Sequence, residues 1–166
     1  MNKLRLASIA VLWLFPCALA ISLVERAQGA PFDPEQPYVI QDDGTVDWYV
    51  YSGYRRYHAD CHVCHGPDGM GSSFAPGLAE SMKNLDYEKF LEVVTNGRTN
   101  VSTAAENVMP GFGMNANVMC FIDDLYAYLK ARSDGKLPRG RPAKHEAKPD
   151  DVKERDDSCM GTGSGG

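Results

Sequence analysis

Residues 61–65 read Cys61-His62-Val63-Cys64-His65, or CHVCH. Two thiols three positions apart with imidazoles beside them suit three chemistries: a zinc site, a redox dithiol, or covalent attachment of a haem. A structural zinc needs four ligands, usually with a second Cys or His pair at knuckle spacing. The chain has no second C-x-x-C, and His58, His62, Cys120 and Cys159 would have to be gathered from scattered places. A thiol–disulfide exchanger carries its C-x-x-C at a helix start just after a strand. Here the motif follows an aromatic, helix-like run and precedes a Gly-rich one. C-x-x-C-H is the attachment signature of haem c. Its spacing puts Cys61 and Cys64 on one helical turn, where both reach the vinyl groups, and the adjacent His65 can ligate the iron.

The surrounding sequence suits a chain that needs such a centre. Asp47 can cap a helix running to about residue 60, with Trp48, Tyr51 and Tyr54 or Arg55 at helical spacing. A second helix is predicted over about 86–96, stopped by Gly97. A third is predicted over about 117–132, with apolar residues at 118, 121, 122, 125, 128 and 129, ending near Gly135. Residues 66–81 and the run GRTNVSTAAENVMPGFG (97–113) read as loops. The ordered domain, 47–133, would be all-α, with a weak core for its size. A flat macrocycle would supply the missing apolar centre.

The termini differ in kind. Lys3 and Arg5 precede an apolar run from Leu6 to Val24, and cleavage is expected after Ala20 or Gly29. Residues 1–29 therefore read as an export signal, which takes Cys17 with it and places the mature protein in the periplasm. The whole chain has a formal charge of −5; the signal holds three bases and one acid, so its loss leaves −7. Residues 30–46, read as an extended acidic arm, hold Asp33, Glu35, Asp42 and Asp43, with Asp47 next in line and no Lys or Arg. Such acidity argues against nucleic acid as a partner and for a surface with basic patches. The tail, 134–166, is charged and bears Pro with little to bury, so it should be mobile unless tied down.

A second axial ligand is expected among seven methionines. Met1 leaves with the signal, Met70 and Met82 are too near His65, Met119 falls within a helix and Met160 in the tail. Met109 and Met114 remain. Met109, in VMPGFG, is favoured because Pro110 stiffens the backbone and the glycines let it pass close to a ring. A Met/His pair closes both axial sites, which suits electron transfer rather than oxygen activation.

GYRRYHADCHVCHG resembles the first helix and haem site of class I c-type cytochromes, VMPGFG their Met-Pro-x-Phe loop, and LYAYLKAR their closing helix. The similarity spans about residues 47–133. It implies a small all-α fold of three to four helices round one covalently attached haem c, with long loops and extended termini. It also implies a crossing of the 47–62 and 117–132 helices, with Gly53 allowing close approach of Tyr128. Pro76 matches the position whose carbonyl accepts the His65 Nδ1–H. With Cys61 and Cys64 used by haem, Cys120 and Cys159 remain as an even pair. An internal bond would staple the tail to the last helix; the alternatives are a buried Cys120 thiol and a Cys159 that makes dimers. The chain reads as a monomer. This layout is similar to the four-cysteine cytochromes c of methanol metabolism, which accept electrons from quinoprotein (PQQ-dependent) alcohol dehydrogenases, including methanol dehydrogenases. That likeness implies an electron carrier, not an enzyme, passing electrons toward a downstream cytochrome or terminal oxidase. The rival expectations are a general periplasmic carrier and a haem sensor or small enzyme with an open sixth site. His58 and His62 read as surface residues, the acidic arm as a solvated face, and the tyrosines at 49, 51, 54 and 57 mainly as packing.

Overall fold

A computed structural model describes residues 32–101 and 106–162; for residues 100, 101, 106 and 107 only the backbone is described. The export signal lies outside these residues. Among them, no helix is long and apolar enough to cross a membrane.

The first helix, α1 (Trp48–Asp60), begins where Asp47 Oδ1 accepts a hydrogen bond from Val50 N at 2.9 Å. The other carboxylate oxygen accepts from Val39 N at 2.7 Å, so the cap also fastens the preceding arm. One turn, α2 (His62–His65), follows directly. The short α3 (Leu78–Ser81) leads into a 3₁₀ turn at Met82–Asn84. α4 (Tyr87–Asn96) starts with Asp86 accepting from Lys89 N and stops at Gly97, φ 75°, as the sequence predicts.

Residues 98–101 and 106–109 differ from the loop expectation. They form two antiparallel strands, β1 (Arg98–Val101) and β2 (Glu106–Met109), in register Arg98 opposite Met109. Neither strand shows alternating hydrophobicity, which is why periodicity misses them. The single helix expected over 117–132 is two: α5 (Ala116–Met119), capped by Asn115, and α6 (Ile122–Ser133). Phe121 separates them at φ −127°, ψ 24°. It is buried, with the Arg56 guanidinium 3.4 Å from its ring centre.

The core forms where α1 crosses α6. Val50, Tyr57, Leu125, Ala127, Tyr128 and Leu129 are buried there. Gly53 makes the crossing possible: a Cβ built on it would stand 1.9 Å from the Asp124 carbonyl oxygen and 2.7 Å from Tyr128 Cβ. The closest approach is thus to the Asp124 backbone, with Tyr128 next. α4 closes one flank through Phe90, whose ring centre is 5.4 Å from that of Tyr126.

The tail is tied down, and the expectation of a mostly disordered segment gives way for residues 134–162. Val46 N donates to Lys144 O and Glu146 N donates to Val46 O, a parallel bridge that lays the tail along the arm. His145 stacks on Tyr51 with ring centres 3.6 Å apart. A last helix, α7 (Asp150–Cys159), buries Val152 and is joined to the α5–α6 junction by a Cys120–Cys159 disulfide. A few buried side chains and one covalent bond outweigh a composition that reads as solvated. The arm is less extended than its prolines suggest: it turns back over Gln41–Thr45, pairs Ile40 with Val46, and sets Phe32 against Tyr49, Tyr87 and Tyr126.

Candidate haem-binding site

His65 closes α2 and is buried, at 8% exposure. Its ring lies 2.9 Å, through Nδ1, from the carbonyl oxygen of Pro76. A carbonyl only accepts, so Nδ1 carries the proton and Nε2 keeps its lone pair for a metal. Pro76 thus stands where the resemblance places it. The backbone after His65 folds back tightly. Gly71 N donates to His65 O at 2.7 Å, and Gly66, φ 72°, has no room for a side chain: its Cβ would be 2.2 Å from Gly71 O. Tyr57 spans this loop, its hydroxyl donating to Gly66 O at 2.6 Å and accepting from Gly69 N at 3.0 Å.

Cys61 and Cys64 lie on the same turn and are both free thiols, whereas Cys120 and Cys159 are bonded to each other. Cys64 is exposed and Cys61 half-buried. Burial, with Asp60 and Cys64 adding, pushes the Cys61 thiol up to about 12.

Met109 ends β2, half-buried, and packs against the core together with Phe112 and Met119. Its segment leans on the end of α4. Phe112 N donates to Val94 O and Gly113 N to Thr95 O, and a Cβ on Gly111 would crowd Asn96 C at 2.9 Å. Met114 is fully exposed. The donor set fits a covalently held macrocycle: two unpaired thiols on one turn, an imidazole with one nitrogen committed and the other free, and a half-buried thioether at the end of β2.

Several residues play parts that spacing did not show. His58 and His62 are half-buried rather than surface residues. The His58 Nδ1 lies 2.8 Å from Tyr54 O, and its Nε2 lies 3.7 Å from Asp68 Oδ1. The acidic arm is largely occupied with its own structure: Asp47 caps α1, Asp33 accepts from Glu35 N, and Asp43 accepts from Thr45 N and pairs with Lys144 at 3.0 Å. The Thr45 contact draws the Asp43 carboxyl down to about 2. Among the described residues no group of three or more His, Cys, Asp or Glu could hold a metal ion. Asp124 is fully buried on α6. Neither of its carboxylate oxygens has a hydrogen-bond partner at bonding geometry; Ser52 lies beside it and Arg155 Nη2 is 3.8 Å from Oδ1. No sequence pattern marks it, because its surroundings come from three helices.

This fold, with its thiol pair and committed imidazole, defines a class I c-type cytochrome, and the chain belongs to that family, whose members carry electrons on covalently attached haem c. Residues 50–129 match the family model for cytochrome C oxidase, cbb3-type, subunit III. The chain is 58% identical over 123 residues to cytochrome c-553I of Paracoccus denitrificans, covering 74% of itself and 54% of that protein. It is 45% identical over 96 residues to cytochrome c-555 of Methylococcus capsulatus, covering 57% of itself and 72% of that protein. It thus spans little more than half the length of the first of these relatives. Among solved structures it is similar to the c-type cytochrome XoxG from Methylobacterium extorquens, with a TM-score of 0.63 and 45% identity over 74% of this chain and 81% of that one.

Proposed function

We propose that the protein is a periplasmic monohaem cytochrome c that takes single electrons from a quinoprotein alcohol dehydrogenase of the methanol dehydrogenase type and passes them toward a terminal oxidase, directly or through a second cytochrome. Cys61 and Cys64 would anchor the ring through thioether bonds, and His65 and Met109 would supply the two protein ligands to its iron. The His65–Pro76 contact carries the ligand assignment: it leaves Nε2 as the free donor, and a hydrogen-bonded imidazole is a more basic ligand. The half-buried position of Met109 against the core, beside the full exposure of Met114, favours Met109 as the partner.

The donor is supported by the likeness to XoxG together with the Cys120–Cys159 bond, which completes the four-cysteine layout of the methanol-metabolism cytochromes that the sequence resembles. Val63, 70% exposed and next to Cys64, and Phe74, 73% exposed and linked to the Cys64 carbonyl through the Ser72 hydroxyl, offer apolar surface for a transient partner. Mixing the reduced dehydrogenase with the oxidised protein tests the reading directly. Growth of the ferrous α-band within the dehydrogenase turnover time supports it. A band that stays absent while a general oxidase still oxidises the ferrous protein would point to an all-purpose carrier.

A further inference from the structure

The loop that follows His65 is held from an unexpected direction. Asp68 lies three residues beyond the histidine, in the left-handed region at φ 59°, and is 6% exposed. Aspartate tolerates this conformation better than most residues, yet the conformation remains strained unless its surroundings hold it. Three elements do so. From the C-terminal extension, Gly140 N donates to Asp68 Oδ1 at 3.1 Å and Arg139 Nε to Oδ2 at 3.4 Å. From α6, Arg132 Nε donates to the Asp68 carbonyl at 3.2 Å, while its Nη1 donates to Leu137 O and so draws the extension inward. From α1, His58 approaches Oδ1. A buried carboxylate is retained only where donors surround it, and here two of its donors lie more than seventy residues away.

The held loop leads mechanically to the axial imidazole. Gly71 N is bonded to His65 O, and a Cβ on Gly71 would stand 2.7 Å from Gly77 N and 3.3 Å from Pro76 C. Movement of residues 66–71 therefore shifts the peptide whose carbonyl receives the His65 Nδ1 proton.

We propose that Asp68, clasped by Arg139 and Gly140, is a positioning residue for His65, and that the C-terminal extension thereby sets the strength of the Nδ1–H to Pro76 carbonyl bond. This rests on His65 being the iron ligand and adds a long-range determinant of its donor strength. A firm bond at Nδ1 makes the imidazole a stronger donor, which favours the ferric form. Releasing the clasp weakens that bond and raises the reduction potential.

The test uses the full-length holoprotein carrying Asp68→Ala, Asp68→Asn or Arg139→Ala. The readouts are amide exchange at Gly69 and Gly71, the hyperfine-shifted His65 ring protons, and the midpoint potential. Asp68→Ala loses the contacts to both Gly140 N and Arg139, and the loss of even one charge-assisted hydrogen bond corresponds to faster exchange at Gly71 on the order of tenfold. The His65 ring shifts should move and the potential rise, while amides at the α1–α6 crossing stay unchanged. Asp68→Asn keeps the acceptor for Gly140 N and should recover most of the wild-type behaviour. Arg139→Ala, at an exposed side chain, should reproduce the Ala effect in weaker form and serves alone if Asp68→Ala does not fold. Unmoved Gly71 exchange and unmoved ring shifts in the folded variants would overturn the clasp. Absence of shifted His65 ring protons in the unsubstituted protein would instead overturn the ligand reading, and the positioning role with it.

Discussion

The two sides of the site are built differently. On the His65 side, residues 66–77 are tied by side chains from α1, α6 and the C-terminal extension, and a single hydroxyl, Tyr57, satisfies two backbone groups. On the Met109 side, Gly97, Phe112 and Gly113 lean on α4 through backbone hydrogen bonds, and Val108 and Met114 lie open to solvent. Buried side-chain contacts that bridge separate helices resist local opening more than backbone contacts at an element's end. The imidazole side is thus the fixed support, and the thioether side the compliant one. Both stand on one floor, the α1–α6 crossing.

The largest effect should come from that shared floor. In Gly53→Val the side chain would occupy the space of the Asp124 carbonyl. A loss of more than about 3 kcal/mol, or outright failure to fold, is expected. Both sides should lose protection together in a denaturant titration followed by exchange. If only one side loosens, the two do not share this support.

Asp124 tests the same floor by pH. Burial raises its carboxyl from 3.8 to about 7, because little compensates the desolvation. The folded state therefore binds this proton more tightly than the unfolded chain, and the residue's contribution to stability falls as pH rises from about 4 through about 7. Asp124→Asn removes that slope. The stability difference, wild type minus variant, should decline by up to about 4 kcal/mol across that window in urea unfolding. A difference that is flat or that grows with pH would mean Arg155 fully compensates the charge.

Tyr57→Phe acts on one side only. It leaves Gly66 O and Gly69 N without their shared partner in a buried loop, at a cost of about 1–3 kcal/mol. Exchange should quicken in residues 66–71 before any change at Phe112 or Gly113. The reverse order would contradict the contrast drawn between the two sides.

The smallest cost in stability belongs to the compliant side. Met109→Ala should abolish the long-wavelength ferric band of Met–iron bonding at a cost of about 1 kcal/mol, since the side chain is only half-buried. Met114→Ala, at an exposed position, should change neither the band nor the denaturation midpoint. A band that survives Met109→Ala and is lost in Met114→Ala would reverse the assignment.

Much of the site was legible before any coordinates. CHVCH, its two thiols and its imidazole are contiguous, as are the Asp47 cap and the Gly97 stop, so each could be read from a few neighbouring letters, whereas the Asp86 cap was passed over and the helix begun a residue early. The pairing of β1 with β2 and the break at Phe121 were not legible, because neither leaves a periodic trace. The arm and tail were read from composition as extended or mobile, yet they clasp each other through Val46 and His145.

The linear chain by itself carried the CHVCH signature on which the proposed haem attachment rests, and the cap of α1 and the stop of α4, since those instructions lie within single turns and loops. Only the tertiary structure decided that Asp68 answers to Arg139, that Asp124 is buried against Arg155, and that Cys120 meets Cys159. Such pairs are separated by 31 to 71 positions in the numbering, and nothing in the local letters records which distant group will arrive. Folding takes the Asp68 and Asp124 carboxyls into a medium where an unpaired charge is costly, so Asp68 is met by donors and Asp124 holds its proton to higher pH.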